Sequence, residues 1–208
     1  NYGDTVAIPF FFDKLDGTVG ADGRGVGYDW RPFEKQQFRD ALTNWENVIN
    51  VDFVEVFTRA DALFRERLED QITAGGTVSA SHSLPSATAT AQSLGTYNFE
   101  AVNIRQWTPD TLEPGGNFYR TFIHELGHGL GLKHPHDSGS GAFQPNYFPG
   151  ISATDTSAER QRSLGVLELN HMFGSVMSYI HGYEFDDEGR VDLVPTRQRP
   201  VAEDYFLD

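Results

Sequence analysis

Between residues 33 and 49 the apolar side chains of Phe38, Ala41, Leu42, Trp45, Val48 and Ile49 recur at helical spacing, which predicts an amphipathic helix with Pro32 in its first turn. Residues 5–12 before it are β-branched and aromatic and read as a strand. Residues 51–57 after it place Val51, Phe53 and the following odd positions on one face, the period of a second strand. Strand, helix and strand in that order predict a right-handed crossover in a partly parallel sheet. Farther along, residues 60–73 read as a short charged helix that breaks at Gly75 and Gly76. Residues 77–84, 91–99 and 101–106 read as strands, and Pro85 suits the first of them to a sheet edge. Residues 16–28, 108–117 and 136–155 are rich in Gly, Pro or Ser and read as loops. A second helical pattern starts at residue 118, with Asn117 placed to cap it, and loosens at Gly129 and Gly131. The expected fold class is α/β: a twisted, mostly parallel sheet of about five strands with two long helices.

At 208 residues the chain fits one domain, spanning 1–208. Asp and Glu number 30 against 16 Lys and Arg, a net charge of −14 that repels phosphate backbones and anionic lipid, so nucleic acid is not an expected partner. Cysteine is absent, which removes disulfides, iron–sulfur clusters, thiolate zinc sites and thiol nucleophiles from consideration. The longest apolar run falls far short of the roughly 20 residues of a membrane-spanning helix, so no membrane is expected as a partner either. A start at Asn1, without an initiator Met or a signal-type apolar stretch, reads as the product of processing.

The informative string lies in the second helical pattern. His124 and His128 are four residues apart and project from one helix face, with Cβ atoms roughly 5–6 Å apart, so both imidazoles can bind one ion. Glu125 occupies the adjoining face, where its carboxylate can reach a water on the metal without ligating it. Gly131 can take a left-handed conformation, end the helix and turn the chain so that His134 supplies a third nitrogen. Three neutral imidazoles leave one tetrahedral position for water, the arrangement of a catalytic zinc ion. A bare H-E-x-x-H arises by chance often, but the full H-E-x-x-H-x-x-G-x-x-H is matched here at every fixed position, so hydrolysis at zinc is the expected chemistry.

With that motif, the string S-V-M-S-Y at residues 175–179 resembles the zinc segment and methionine-bearing turn of the metzincin endopeptidases. Pro135 after the third histidine and the lack of Cys make the serralysin branch of secreted bacterial proteases the nearest resemblance. Adamalysins and astacins would carry disulfides, and matrixins lack a Tyr two residues after the Met. The resemblance implies that His124, His128 and His134 hold one zinc ion and that Glu125 is the general base. It further implies that Met177 forms an apolar floor beneath the metal and that Tyr179 is a displaceable fourth ligand that later stabilises the oxyanion. It implies secretion, protein or peptide substrates, and room for a proteinaceous inhibitor. The zinc site would lie at the floor of a cleft between an upper part, about 1–133, and an irregular lower part, about 134–208. Substrate would lie extended along an edge strand, for which residues 77–84 are the candidate. The chain departs from serralysins at Ile180, where they have Trp, and residues 152–173 have no counterpart in them. The calcium-loaded β-roll that usually follows is not present in this chain.

The remaining histidines, His82, His136, His171 and His181, read as packing or surface residues, with His136 near enough in sequence to border the cleft. Residues 186–192 offer hard oxygen ligands suited to calcium but lack the alternating spacing of a calcium loop, and a solvated acidic loop is the commoner explanation. Gly25-Val-Gly-Tyr-Asp29 matches the core of one calcium β-roll repeat, yet a single copy has no stacked neighbour and reads as a loop. Residues 201–208 read as the first turns of a helix. Two other functions compete with peptide hydrolysis: a noncatalytic zinc-containing recognition or adhesin domain, and a hydrolase of nonpeptide substrates. Retention of Glu125 argues against the first, and the paired zinc motif and Met-turn argue against the second.

Overall fold

The aromatic run that opens the chain becomes the hub of a sheet. In the computed structural model, which describes residues 4–14, 27–69, 80–85, 92–98, 107–116, 118–137, 147–172, 174–180, 183–185 and 191–193, the chain divides into two compact units at Gly131. The first carries β1 (Val6–Asp13), β2 (Gly27–Tyr28), α1 (Pro32–Glu46), β3 (Val51–Glu55), β4 (Phe64–Glu69), β5 (Ala80–His82), β6 (Ser93–Asn98), the single-turn α2 (Pro109–Leu112) and α3 (Tyr119–Gly129). The strands run in the order β3-β1-β4-β6-β5. The first four are mutually parallel, β5 is antiparallel to β6, and β2 pairs with β4 past the end of β1. This is the expected mostly parallel five-stranded α/β sheet with two long helices.

Alternation in β1 buries Ile8, Phe10 and Phe12 together, and α1 buries Phe38, Ala41 and Leu42. Phe38 has no exposed surface and meets Phe122 of α3 at a ring separation of 5.1 Å, with Trp30 at 5.3 Å and Tyr97 at 5.6 Å. Edge-to-face rings at these separations add to plain burial. Two polar links tie α1 to α3: Trp45 Nε1 donates to the Ile123 carbonyl at 3.1 Å, and Asn44 Nδ2 to the Tyr119 hydroxyl at 2.6 Å. The helix that bears His124, Glu125 and His128 is thus fixed to the core through its other faces.

Several expectations are corrected. Residues 64–69 form the central strand β4 where a charged helix was expected, because Phe64, Glu66 and Leu68 alternate inward and the charges find partners. Arg65 pairs with Asp13, Arg67 with Glu69, and Glu66 is buried whole with its own partners. A charge paired in space is indistinguishable in sequence from a charge in solvent. Phe57 does not continue the inner face of the 51–57 strand; β3 ends at Glu55, and Phe57 is 87% exposed in the bend that follows. The helix of residues 33–49 ends at Glu46, leaving Val48 exposed. The candidate strand 101–106, the helix 201–208 and the acidic residues 186–190 lie outside the described residues.

Asp13, 1% exposed, receives Arg59 at 2.7 Å and Arg65 at 2.5 Å. Burial raises its pKa, but the two guanidinium groups and the Lys14 backbone N–H outweigh burial and leave it below the usual carboxylate value. A carboxylate depressed on folding stabilises the fold above its unfolded pKa, about 3.9, and ceases to as pH falls through the lower folded value. Asp13→Asn is therefore expected to melt lower than the parent at neutral pH, with the gap closing below about pH 4. Thermal unfolding of both chains across pH checks this, and a constant gap would contradict it.

The second unit starts at Leu132. It contains α4 (Ser157–Arg160), whose cap Thr156 accepts from the Glu159 backbone N–H, and the antiparallel pair β7 (Tyr183–Phe185) and β8 (Val191–Leu193). Buried Asn170 donates to the Ser163 carbonyl at 2.6 Å and holds the loop before the Met-turn.

Candidate metal centre

Helix α3 is apolar on the side that meets α1 and the sheet, through Phe122 and Leu126, and it carries His124 and His128 one turn apart. Their rings lie 4.9 Å apart at 85°, and both are buried. Glu125 between them is 2% exposed. The helix ends as the sequence predicts: Leu130 caps it, and Gly131, at φ +98°, donates its N–H to the His128 carbonyl at 2.8 Å. That positive φ turns the chain toward His134. Asn117 lies outside the described residues, and Phe118 occupies the N-cap without a side-chain bond.

His134 is oriented by a carboxylate that sequence reading passed over. Asp137 Oδ2 accepts from His134 Nδ1 at 2.9 Å and from its backbone N–H at 3.3 Å. Burial raises the Asp137 pKa, but the His134 hydrogen bond and the charges of His134 and His136 outweigh it and leave it lowered. A carboxylate only accepts, so Nδ1 carries the proton, and in the neutral ring that a metal ligand requires Nε2 presents a lone pair. The Tyr179 hydroxyl donates to that Nε2 at 2.8 Å. An acidic residue three positions after a candidate ligand was the available signal, because a ligating imidazole commonly gives its other N–H to a carboxylate. His136 stacks on His134, ring centroids 4.9 Å apart and planes 1° from parallel, and lies 4.7 Å from the Tyr179 ring.

Met177 is 3% exposed in a turn closed by the Ser178 N–H bonding to the Ser175 carbonyl at 3.1 Å. Ser178 and Ile180 are buried beside it. His171 is buried and accepts the Gly174 N–H at Nδ1, and His82 is buried in the sheet; His181 lies outside the described residues.

One ring nitrogen from each of His124, His128 and His134 lies within 4.8 Å of the other two, a donor set that could hold a metal ion. Three neutral imidazole nitrogens at that separation suit zinc.

The model of the Peptidase_M10 family, described as Matrixin, matches residues 31–158. Serralysin of Proteus mirabilis is 28% identical over 162 residues, 74% of this chain and 33% of that protein. A Serralysin C of Dickeya chrysanthemi is 34% identical over 122 residues, 58% of this chain and 24% of that protein. The chain thus spans about a third or less of the length of these relatives. Among solved structures, myroilysin aligns with a TM-score of 0.41 at 18% identity, covering 65% of this chain and 52% of that one. High choriolytic enzyme 1, a hatching enzyme zinc-protease of Oryzias latipes, aligns with a TM-score of 0.31 at 14% identity, covering 62% and 46%.

Proposed function

Because the chain belongs to the matrixin family of peptidases, we propose that it is a secreted zinc endopeptidase that hydrolyses peptide bonds of protein substrates with Glu125 as general base. The observation that carries this reading is the convergence of three ring nitrogens from one H-E-x-x-H-x-x-G-x-x-H string, with buried Glu125 next to the first of them. His124, His128 and His134 would hold the ion. Bound zinc would lower the pKa of water toward neutrality and polarise the scissile carbonyl.

The chain's own residues supply the rest. Glu125 takes a proton from the attacking water on a carboxylate oxygen and passes it to the leaving amine. Asp137 keeps the proton of His134 on Nδ1, so that Nε2 remains the donor toward the ion. The Tyr179 hydroxyl, already beside His134 Nε2, is the group that turns to the developing oxyanion. Met177 packs as the apolar floor. The edge position of β5, at one end of the strand order, supports extended substrate binding along it. Secretion rests on the serralysin-like sequence, a proteinaceous inhibitor would engage the same residues as substrate, and calcium would be a second, separate ion at residues 186–192.

Cleavage of an unfolded protein by the zinc-loaded chain tests the proposal, with a chelator-treated sample alongside. Hydrolysis lost on chelation and recovered with zinc supports it. A chain that binds zinc and cuts no peptide favours the recognition-domain alternative. Tyr179→Phe is expected to keep one zinc per chain and lower kcat by about 10²-fold with a smaller change in KM, as for loss of one oxyanion donor. Metal analysis with steady-state kinetics checks this, and an unchanged kcat would remove Tyr179 from the mechanism.

A further inference from the structure

Beneath α3 lies a polar cluster that the mechanism above does not use. Glu66 of β4, His82 of β5 and Tyr97 of β6 come from three adjoining strands, and the His82 and Glu66 side chains are wholly buried. Glu66 accepts the Tyr97 hydroxyl proton on Oε2 at 3.0 Å, and its Oε1 lies 3.2 Å from His82 Nε2. On the far side of the ring, His82 Nδ1 lies 3.1 Å from the Ser83 carbonyl oxygen and 3.2 Å from Ser93 Oγ. The Ser93 hydroxyl itself donates to the Ser83 carbonyl at 2.6 Å. A carbonyl and a carboxylate both accept, so the arrangement calls for a proton on each ring nitrogen. Burial draws the His82 pKa down, but the charge and hydrogen bond of Glu66 outweigh it and leave it raised.

The ring is therefore anchored at both nitrogens, and its Cε1 edge is turned to α3. A Cβ at Gly129 would stand 2.6 Å from His82 Cε1 and 2.9 Å from each ring nitrogen. On the sheet side, a Cβ at Gly95 would stand 2.1 Å from Glu66 Oε2 and 2.7 Å from His82 Cδ2. Two glycines thus leave the space that the pair fills. Gly129 directly follows His128 and closes the last turn of α3, where carbonyl groups favour a neighbouring cation.

We propose that His82 is a positioning residue: anchored by Glu66, Ser83 and Ser93, it packs against Gly129 and seats the last turn of α3, thereby fixing His128 for the metal. The inference rests on the reading of His128 as a zinc ligand and does not require peptide hydrolysis.

The test is zinc titration of the metal-free chain, with the visible absorption of the cobalt-substituted chain as a signature of ligand geometry and far-ultraviolet circular dichroism as the fold control. The variants are Gly129→Ala, which pushes a methyl group into the anchored ring, His82→Gln, which keeps a donor for Glu66 without the ring, and the double variant. Both single variants are expected to bind zinc about tenfold or more weakly with a changed cobalt spectrum and native dichroism, the size seen for residues that orient metal ligands. The double variant should lose no more than the weaker-binding single one, since both act through one contact. Unchanged zinc affinity and cobalt spectrum in the folded single variants would overturn the proposal, as would additive losses or unfolding of both. A parent chain that binds zinc but hydrolyses nothing refutes the peptidase reading and leaves this test intact. A parent that binds no zinc removes the ligand assignment beneath both.

Discussion

Glu125→Gln is expected to leave one zinc bound per chain while kcat falls by about 10²–10⁴-fold, the range for removing a positioned general base. Gln has nearly the shape and helix propensity of Glu, so α3 should keep its packing through Phe122 and Leu126. What it lacks is a basic oxygen. Glu125 is 2% exposed, so no solvent carboxylate easily replaces it. Its charge is also felt by Tyr97, whose hydroxyl, wholly buried and bonded to Glu66, has its pKa raised first by burial and then by Glu66 and Glu125. Metal analysis, steady-state kinetics and a melting curve on one preparation separate the possibilities. Loss of zinc would make Glu125 a ligand or a support of one. Retained zinc with retained kcat would end its assignment as the base.

The parts of the fold that could be read from sequence are those whose partners lie within a few residues. Periodicity disclosed α1 because Phe38, Ala41 and Leu42 repeat along one helix, and it disclosed β1 because its aromatic and β-branched run has no other stable use. The turn of the chain at Gly131 was legible for the same reason: only glycine takes φ +98° cheaply, and it falls between two histidines whose spacing needs a turn. What was hidden depended on distant residues. The charges of β4 are matched by Asp13, His82 and Tyr97 across neighbouring strands, so a buried strand read as a solvated helix. Asp137 lies three residues from His134 and is local enough to be legible, but an acidic residue in a polar loop has the same sequence pattern whether it faces solvent or orients a histidine. His82 had only a packing reading, since its contact with Gly129 joins residues 47 positions apart.

His128→Ala is expected to remove zinc and all measurable hydrolysis while the chain still folds. The first unit packs without the metal: its aromatic core runs through Phe38, Trp30, Tyr97 and Phe122, and none of these contacts involves an imidazole of the donor set. Alanine is also the better helix former, so α3 gains slightly in propensity. The donor set, by contrast, falls from three nitrogens to two, and His124 and His134 are then no longer linked through the ring that stands 4.9 Å from His124. Linkage gives this a thermodynamic readout independent of turnover. A metal bound only by the folded chain stabilises it by about 4 kcal/mol when present at a thousand times its dissociation constant. The parent should therefore melt several degrees higher with zinc than with a chelator, whereas His128→Ala should melt at one temperature in both. If the variant keeps the zinc-dependent shift, the ion is held elsewhere, and the assignment of His128 falls with it.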